Sequence, residues 1–203
     1  MQANRPTIYV LDDDFRIREA LSGLLDAAGY TTLAFERASD YLSYKKPGCV
    51  SCLILDMDMP GMTGLELQRE ISGMNAPPII FLTGHGDIPS SVKAMKAGAS
   101  EFLLKPFDED DLLRAVEVAL EQDRLQQIKR SELEELKKRY ALLSPREREV
   151  LPLVVSGLLN KQTAAELGKS EITIRVHRGQ IMKKMAAQSL ADLVKMTTKL
   201  GIE

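Results

Sequence analysis

Seven side chains could do chemistry together: Asp12, Asp13, Asp14, Asp56, Asp58, Thr83 and Lys105. Each closes or closely follows a short apolar run. Thr7-Ile8-Tyr9-Val10-Leu11 ends in the three acids Asp12 to Asp14, and Cys52-Leu53-Ile54-Leu55 ends in Asp56-Met57-Asp58-Met59-Pro60-Gly61. Pro78 to Leu82 ends in the Thr83 hydroxyl, and Glu101 to Leu104 ends in the Lys105 amine. Crowded carboxylates repel one another, which raises their pKa values unless a cation intervenes. Hard oxygen ligands suit Mg²⁺, which also binds phosphate oxygens. A carboxylate can attack phosphorus to form an aspartyl phosphate. A metal, an amine and a hydroxyl would then orient and neutralise the phosphoryl oxygens.

These groups meet only if the runs are strands of one parallel sheet. Apolar runs of four to eight residues suit strands buried on both faces. Helical patterns separate them. Ile17, Leu21, Leu24 and Leu25 share a face closed by Gly29, Thr31 to Phe35 reads as a second strand, and Ala38 to Tyr44 as a short helix. Residues 64–74 read as a helix with Leu65, Leu67 and Ile71 inward, residues 88–97 as a helix stopped by Gly98, and 108–120 as a helix with an acidic first turn. Strands alternating with helices predict a doubly wound parallel α/β sheet. The strand ends then share one rim, where such sheets bind ligands. Singly, each group has a plainer reading: a capping acid, a turn hydroxyl or a solvated amine. Their recurrence at successive strand ends favours a site.

The rest of the chain differs in charge. Up to residue 124 there are 12 Lys and Arg against 20 Asp and Glu, a net −8; from residue 125 there are 15 against 9, a net +6. Two domains with different partners follow, and the basic one suits nucleic acid. We expect an acidic domain over 1–122, a helical linker over 123–141 and an all-α domain over 142–203. The linker has no Gly or Pro, and its Leu125, Ile128, Leu133, Leu136 and Tyr140 are too irregularly spaced for a strong coiled coil. Its plain reading is a solvated helix separating two domains.

In the basic domain, Ser144-Pro145-Arg146-Glu147 has the pattern of a capping box with proline at the first helical position. Pro152 predicts a kink or a shorter helix there. Helices follow over 160–167, 171–185 and 190–200, punctuated by Gly168 and Ser170. The second and third form a helix-turn-helix candidate. No acid occurs from Ile172 to Ala191, while Arg175, Arg178, Lys183 and Lys184 do. Such a helix would dock in a DNA major groove, although basic residues also simply solvate a surface helix.

Two features weigh less. Cys49-Val50-Ser51-Cys52 has redox spacing but leads into a strand rather than a helix, and no second pair completes a zinc site. His85 lies on the rim loop and reads as an ordinary loop histidine. No apolar stretch approaches the ~20 residues of a membrane span, and the N-terminus offers no signal peptide. A cytoplasmic location is expected.

Residues 7–122 resemble a response-regulator receiver domain through Val10-Leu11-Asp12-Asp13-Asp14, Leu55-Asp56-Met57-Asp58-Met59-Pro60-Gly61, Leu82-Thr83-Gly84-His85-Gly86, Met95-Lys96-Ala97-Gly98-Ala99 and Leu104-Lys105-Pro106-Phe107. The resemblance implies a histidine kinase that phosphorylates Asp56. It implies Mg²⁺, or another divalent cation, held by Asp12, Asp13, Asp56 and the main-chain carbonyl of Asp58. Thr83 and Lys105 would bind phosphoryl oxygens, Thr83 and Phe102 would form the switch, and Lys105-Pro106 would be cis. The surface of residues 88–120 would form a homodimer face. Asp58 departs from relatives, which often have a neutral or basic residue there.

Residues 143–193 resemble a four-helix LuxR-type DNA-binding domain through Leu143-Ser144-Pro145-Arg146-Glu147-Arg148-Glu149-Val150-Leu151, Gly157 to Gln162, Ala165-Glu166-Leu167-Gly168 and Thr173-Ile174-Arg175-Val176-His177-Arg178. The resemblance implies that Arg175 and Val176 face base edges and that Lys161, Thr173 and Lys183 lie near phosphates, with Arg178 also in the DNA-binding set. Gly179 departs from the bulkier or polar residue usual at its position; Thr163 and Lys169 replace apolar ones. Together the two domains resemble the FixJ branch of response regulators, which implies transcription control through promoter DNA and RNA polymerase rather than enzymic turnover. Two alternatives remain open: a haloacid-dehalogenase-like phosphatase using Asp56 and Asp58, and a regulator whose C-terminal domain binds protein.

Overall fold

The computed structural model describes residues 5–73, 75–84, 95 and 98–202. Its chain forms two compact units, Met1–Gln127 and Ile128–Glu203.

The first unit is built on β1 (Thr7–Leu11), β2 (Thr31–Phe35), β3 (Ser51–Asp56), β4 (Ile79–Thr83) and β5 (Glu101–Leu104). All pair in parallel in the order β2-β1-β3-β4-β5. The order reverses at β1 and β3, so Asp12 and Asp56 stand at the topological switch point, where open α/β sheets bind ligands. Alternate residues of the fully buried strands β1, β3 and β4 feed two cores. Tyr9, Leu11, Leu53, Leu55 and Phe81 face α2 (Ala38–Ser43) and α3 (Gly64–Ile71). Ile8, Val10, Ile54, Ile80 and Leu82 face α1 (Phe15–Ala27) and the first turns of α4 (Glu109–Ala141).

The local starts follow from side-chain chemistry. Asp14 caps α1 by accepting from the Arg16 amide, and Thr63 with Glu66 forms a capping box on α3. Helix α3 is shorter than the 64–74 expected. It stops at Ile71, with Gly73 in the left-handed region at φ 83°. The helix expected over 88–97 lies, apart from residue 95, outside the described residues.

The second unit holds the end of α4 with α5 (Pro145–Val155), α6 (Asn160–Leu167), α7 (Glu171–Met185) and α8 (Leu190–Leu200). Leu143, Val150, Leu151, Val154, Ile174, Ile181, Met185 and Leu193 form its core. The Ser144–Glu147 capping box is present, and Pro152 does not end α5, which runs on to Val155. Gly168 turns α6 into α7 at φ 60°, a conformation that disfavours side chains.

The helical linker proves to be part of α4, but it is not a solvated spacer throughout. Tyr140 packs on the second unit's core, Leu136 is buried, and Glu132 pairs with Lys199 of α8 at 2.9 Å. Arg139 donates to the main-chain oxygen of Met185 at 3.3 Å. Leu125 and Ile128 remain exposed. Among the described residues no helix is long and apolar enough to cross a membrane.

Candidate functional site

Parallel pairing brings the strand ends together as the βα pattern requires. Asp12 (1% exposed) follows β1, Asp56 (6%) ends β3, Thr83 (2%) ends β4, and Lys105 follows β5. The Lys105 ammonium reaches across the rim to Asp12 Oδ2 at 2.7 Å and Asp56 Oδ1 at 2.6 Å. Burial works against that ammonium, yet the hydrogen bonds and charges of Asp12 and Asp56 outweigh it and hold its pKa above the ordinary lysine value. The Lys105 amide donates to the Thr83 carbonyl at 2.7 Å, and the Lys105–Pro106 peptide is cis.

The remaining carboxylate oxygens are aimed by backbone amides. Asp14 N donates to Asp12 Oδ1 and Asp58 N to Asp56 Oδ2, each at 2.9 Å. The Asp13 and Asp58 residues are exposed. Among the described residues no three His, Cys, Asp or Glu side chains form a closed metal cluster. The rim offers instead two buried carboxylates that already share one cation, beside the exposed Asp13. An open set of hard oxygens fits Mg²⁺, which keeps several of its waters.

Two residues that shape this rim escaped the sequence reading. Arg18 Nη1 donates to the main-chain oxygens of Asp12 at 2.8 Å and Asp13 at 2.9 Å, tying down the acidic loop. It lies one turn beyond the Asp14 cap, and helical side chains lean toward the N-terminus. Gly64 packs α3 directly against the acceptor loop. A Cβ there would meet Asp56 O at 2.6 Å and Phe81 Cε1 at 2.9 Å. No sequence motif announces that contact.

Thr83 pairs in register with Leu104, and Phe81 with Phe102. Thr83 and Phe102 therefore sit diagonally on one face of neighbouring strands, and Phe102 packs on the Tyr9 side of the sheet. His85 lies outside the described residues. Cys49 and Cys52 are free and buried. Burial, with Asp123 nearby, pushes the Cys52 thiol pKa up, the opposite of a reactive thiol.

In the second unit, Arg175, Val176, Lys183 and Lys161 are exposed. Ile174, Ile181 and Met185 turn the other face of α7 into the core. Other basic groups are engaged within the fold. Arg178 donates to the Leu158 carbonyl at 3.3 Å, and Lys184 reaches Glu147 at 2.7 Å. The Thr173 amide and hydroxyl both meet Ser170 Oγ, the α7 cap. Burial opposes the Glu147 carboxylate, but bonds from Lys184 and Ser144 more than offset it and lower its pKa. Glu147 thus clamps the start of α5 to the end of α7.

Known proteins share both units. The family described as response regulator receiver domain matches residues 8–117, and that described as bacterial regulatory proteins, luxR family, matches 141–197. Nodulation protein W of Bradyrhizobium diazoefficiens is 46% identical over 201 residues, 98% of this chain and 88% of that protein. The transcriptional regulatory protein FixJ of the same species is 40% identical over 196 residues, 96% of each chain. The solved structure of the response regulator StyR is 46% identical and covers 96% of this chain and 99% of its own, with a TM-score of 0.82.

Proposed function

Since the chain belongs to the two-component response regulators that join a receiver domain to a LuxR-type DNA-binding domain, a family of transcription regulators and not of enzymes, we propose that phosphoryl transfer to Asp56 controls its pairing and its reading of promoter DNA. The phosphatase alternative falls with that membership. The observation that carries the proposal is the Lys105 bridge between Asp12 and Asp56.

The donor is a phosphohistidine of a partner kinase. An Asp56 carboxylate oxygen attacks phosphorus, the P–N bond breaks, and its electron pair stays on the departing imidazole, which takes up a proton. Asp12, Asp13, Asp56 and the main-chain carbonyl of Asp58 would hold Mg²⁺, which would supply charge neutralisation for the phosphoryl oxygens. Lys105, already at Asp56, moves its hydrogen bond onto one of those oxygens. Thr83 donates its hydroxyl to another, and Phe102 fills the space Thr83 leaves. This differential contact shifts the population of the face expected over residues 88–120, of which 95 and 98–120 are among the described residues. Two molecules then pair through that face and set two α7 helices on neighbouring half-sites, where effective concentration raises affinity. Arg175 and Val176 read base edges, Lys161, Thr173 and Lys183 contact phosphates, and Arg178 supports the helix while contributing positive charge. RNA polymerase is the downstream partner, and the protein works in the cytoplasm.

The test is labelling of the full chain with an acyl-phosphate donor and Mg²⁺. Asp56→Asn abolishes hydroxylamine-sensitive labelling, as does chelation of the metal. Full labelling of Asp56→Asn contradicts the proposal.

A further inference from the structure

Arg175 flanks the outer face of α7; it does not occupy its centre. At about 100° per residue, Ile172, Val176, Gly179 and Lys183 fall within a stripe about 60° wide. That stripe lies opposite the buried Ile174, Ile181 and Met185. Ile172 is 72% exposed, the most exposed large hydrophobic side chain among the described residues, and Val176 is 57% exposed. Neither is used by the core of the second unit.

Gly179 is equally unexplained by the fold. It is not among the glycines with positive φ, and a Cβ built on it meets nothing within 4 Å. A glycine inside a helix is destabilising relative to alanine. The protein therefore gains nothing internally from the missing side chain, whereas a surface laid against α7 gains a closer approach.

The stripe has no hydrogen-bonding side chain before Lys183. Of the groups on major-groove base edges, only the thymine C5-methyl offers an apolar contact. The absence of acid from Ile172 to Ala191 and the flanking Arg175 favour DNA over an apolar protein surface. We propose that Ile172 and Val176 read thymine methyl groups, and that the bare backbone at Gly179 lets α7 sit deep enough for both to touch. This inference rests on the DNA-reading role of α7; it names the base group that Val176 meets and adds Ile172 and Gly179 to the residues that set specificity.

The experiment uses the full-length protein treated with an acyl-phosphate donor and duplexes selected from a randomised pool. Each thymine of a selected duplex is replaced in turn by uracil, which removes only the methyl. The parent loses about fourfold in affinity at particular thymines, the scale of one buried methyl group. Ile172→Ala becomes indifferent to one of those replacements and Val176→Ala to another. Gly179→Ala unfolds at a higher temperature yet binds the selected duplex several-fold more weakly.

If no uracil replacement affects the parent, or if Ile172→Ala keeps the parent's full uracil sensitivity, methyl reading is wrong. Undiminished affinity of Gly179→Ala overturns the close approach. A parent that prefers no duplex at all overturns the DNA-reading role, and this inference with it.

Discussion

At the rim of the parallel sheet the key groups are already engaged. Lys105 holds two buried carboxylates, and backbone amides fix their other oxygens. On the outer face of α7 the position is reversed. Among the described residues the Arg175 and Lys183 side chains are exposed and enter no hydrogen bond or ion pair, and Ile172 and Val176 stand in solvent. The contrast matches what the proposed function asks of each surface. Phosphoryl chemistry needs charges held in place before the reactant arrives, because reorganising them during the reaction is expensive. Groove recognition needs donors and apolar groups that the fold itself does not consume. Under that proposal, burial marks the first site and unexplained exposure the second.

The contrast breaks most sharply at the switch. Thr83→Ala should still accept phosphate at Asp56 but largely lose phosphorylation-dependent pairing and tandem half-site binding. Sedimentation of the labelled variant checks this; pairing equal to the labelled parent would sink the proposed coupling.

Next in size is the bridge. Lys105→Met leaves Asp12 and Asp56 buried without their cation and should destabilise the first unit by about 3 kcal/mol in urea unfolding without divalent ions. Added Mg²⁺ should shrink the loss. Because the Lys105 pKa is raised in the folded protein, its contribution is fully present below the unfolded value of about 10.4 and fades only as pH climbs through the higher folded value. A stability difference that already disappears between pH 7 and 9 would contradict the bridge.

A smaller effect tests close packing at the rim. Gly64→Ala forces a Cβ toward the Asp56 carbonyl and should cost about 1–3 kcal/mol. It should also slow labelling of Asp56 by a small phosphodonor. On α7 no such stability change is expected. Arg175→Ala should lose about 1–3 kcal/mol of binding at one preferred site and relax preference at one base position. Lys183→Ala should weaken all duplexes alike and flatten the salt slope by about one unit. Thermal unfolding of either variant well below the parent would show that the outer face serves the fold after all.

The sequence by itself determined the βα alternation, the acids, hydroxyl and amine at successive strand ends, and the caps at Asp14, Ser144 and Ser170. These follow from local periodicity and from side chains that bond backbone a few residues away. It also separated the acidic first part from the basic second by charge alone. Only the tertiary structure decided which groups touch. Lys105 meets Asp12 from 93 residues away and Asp56 from 49, contacts set by strand order and not by spacing. The same holds for Arg18 on the acidic loop, Gly64 against Asp56, and Leu136 and Tyr140 on the second core. It holds also for the division of the basic residues of α7. The Arg178 and Lys184 side chains bond within the fold while those of Arg175 and Lys183 do not, because the surrounding helices approach only one side of α7. Composition cannot report that approach, since all four residues carry the same charge and favour the same helix.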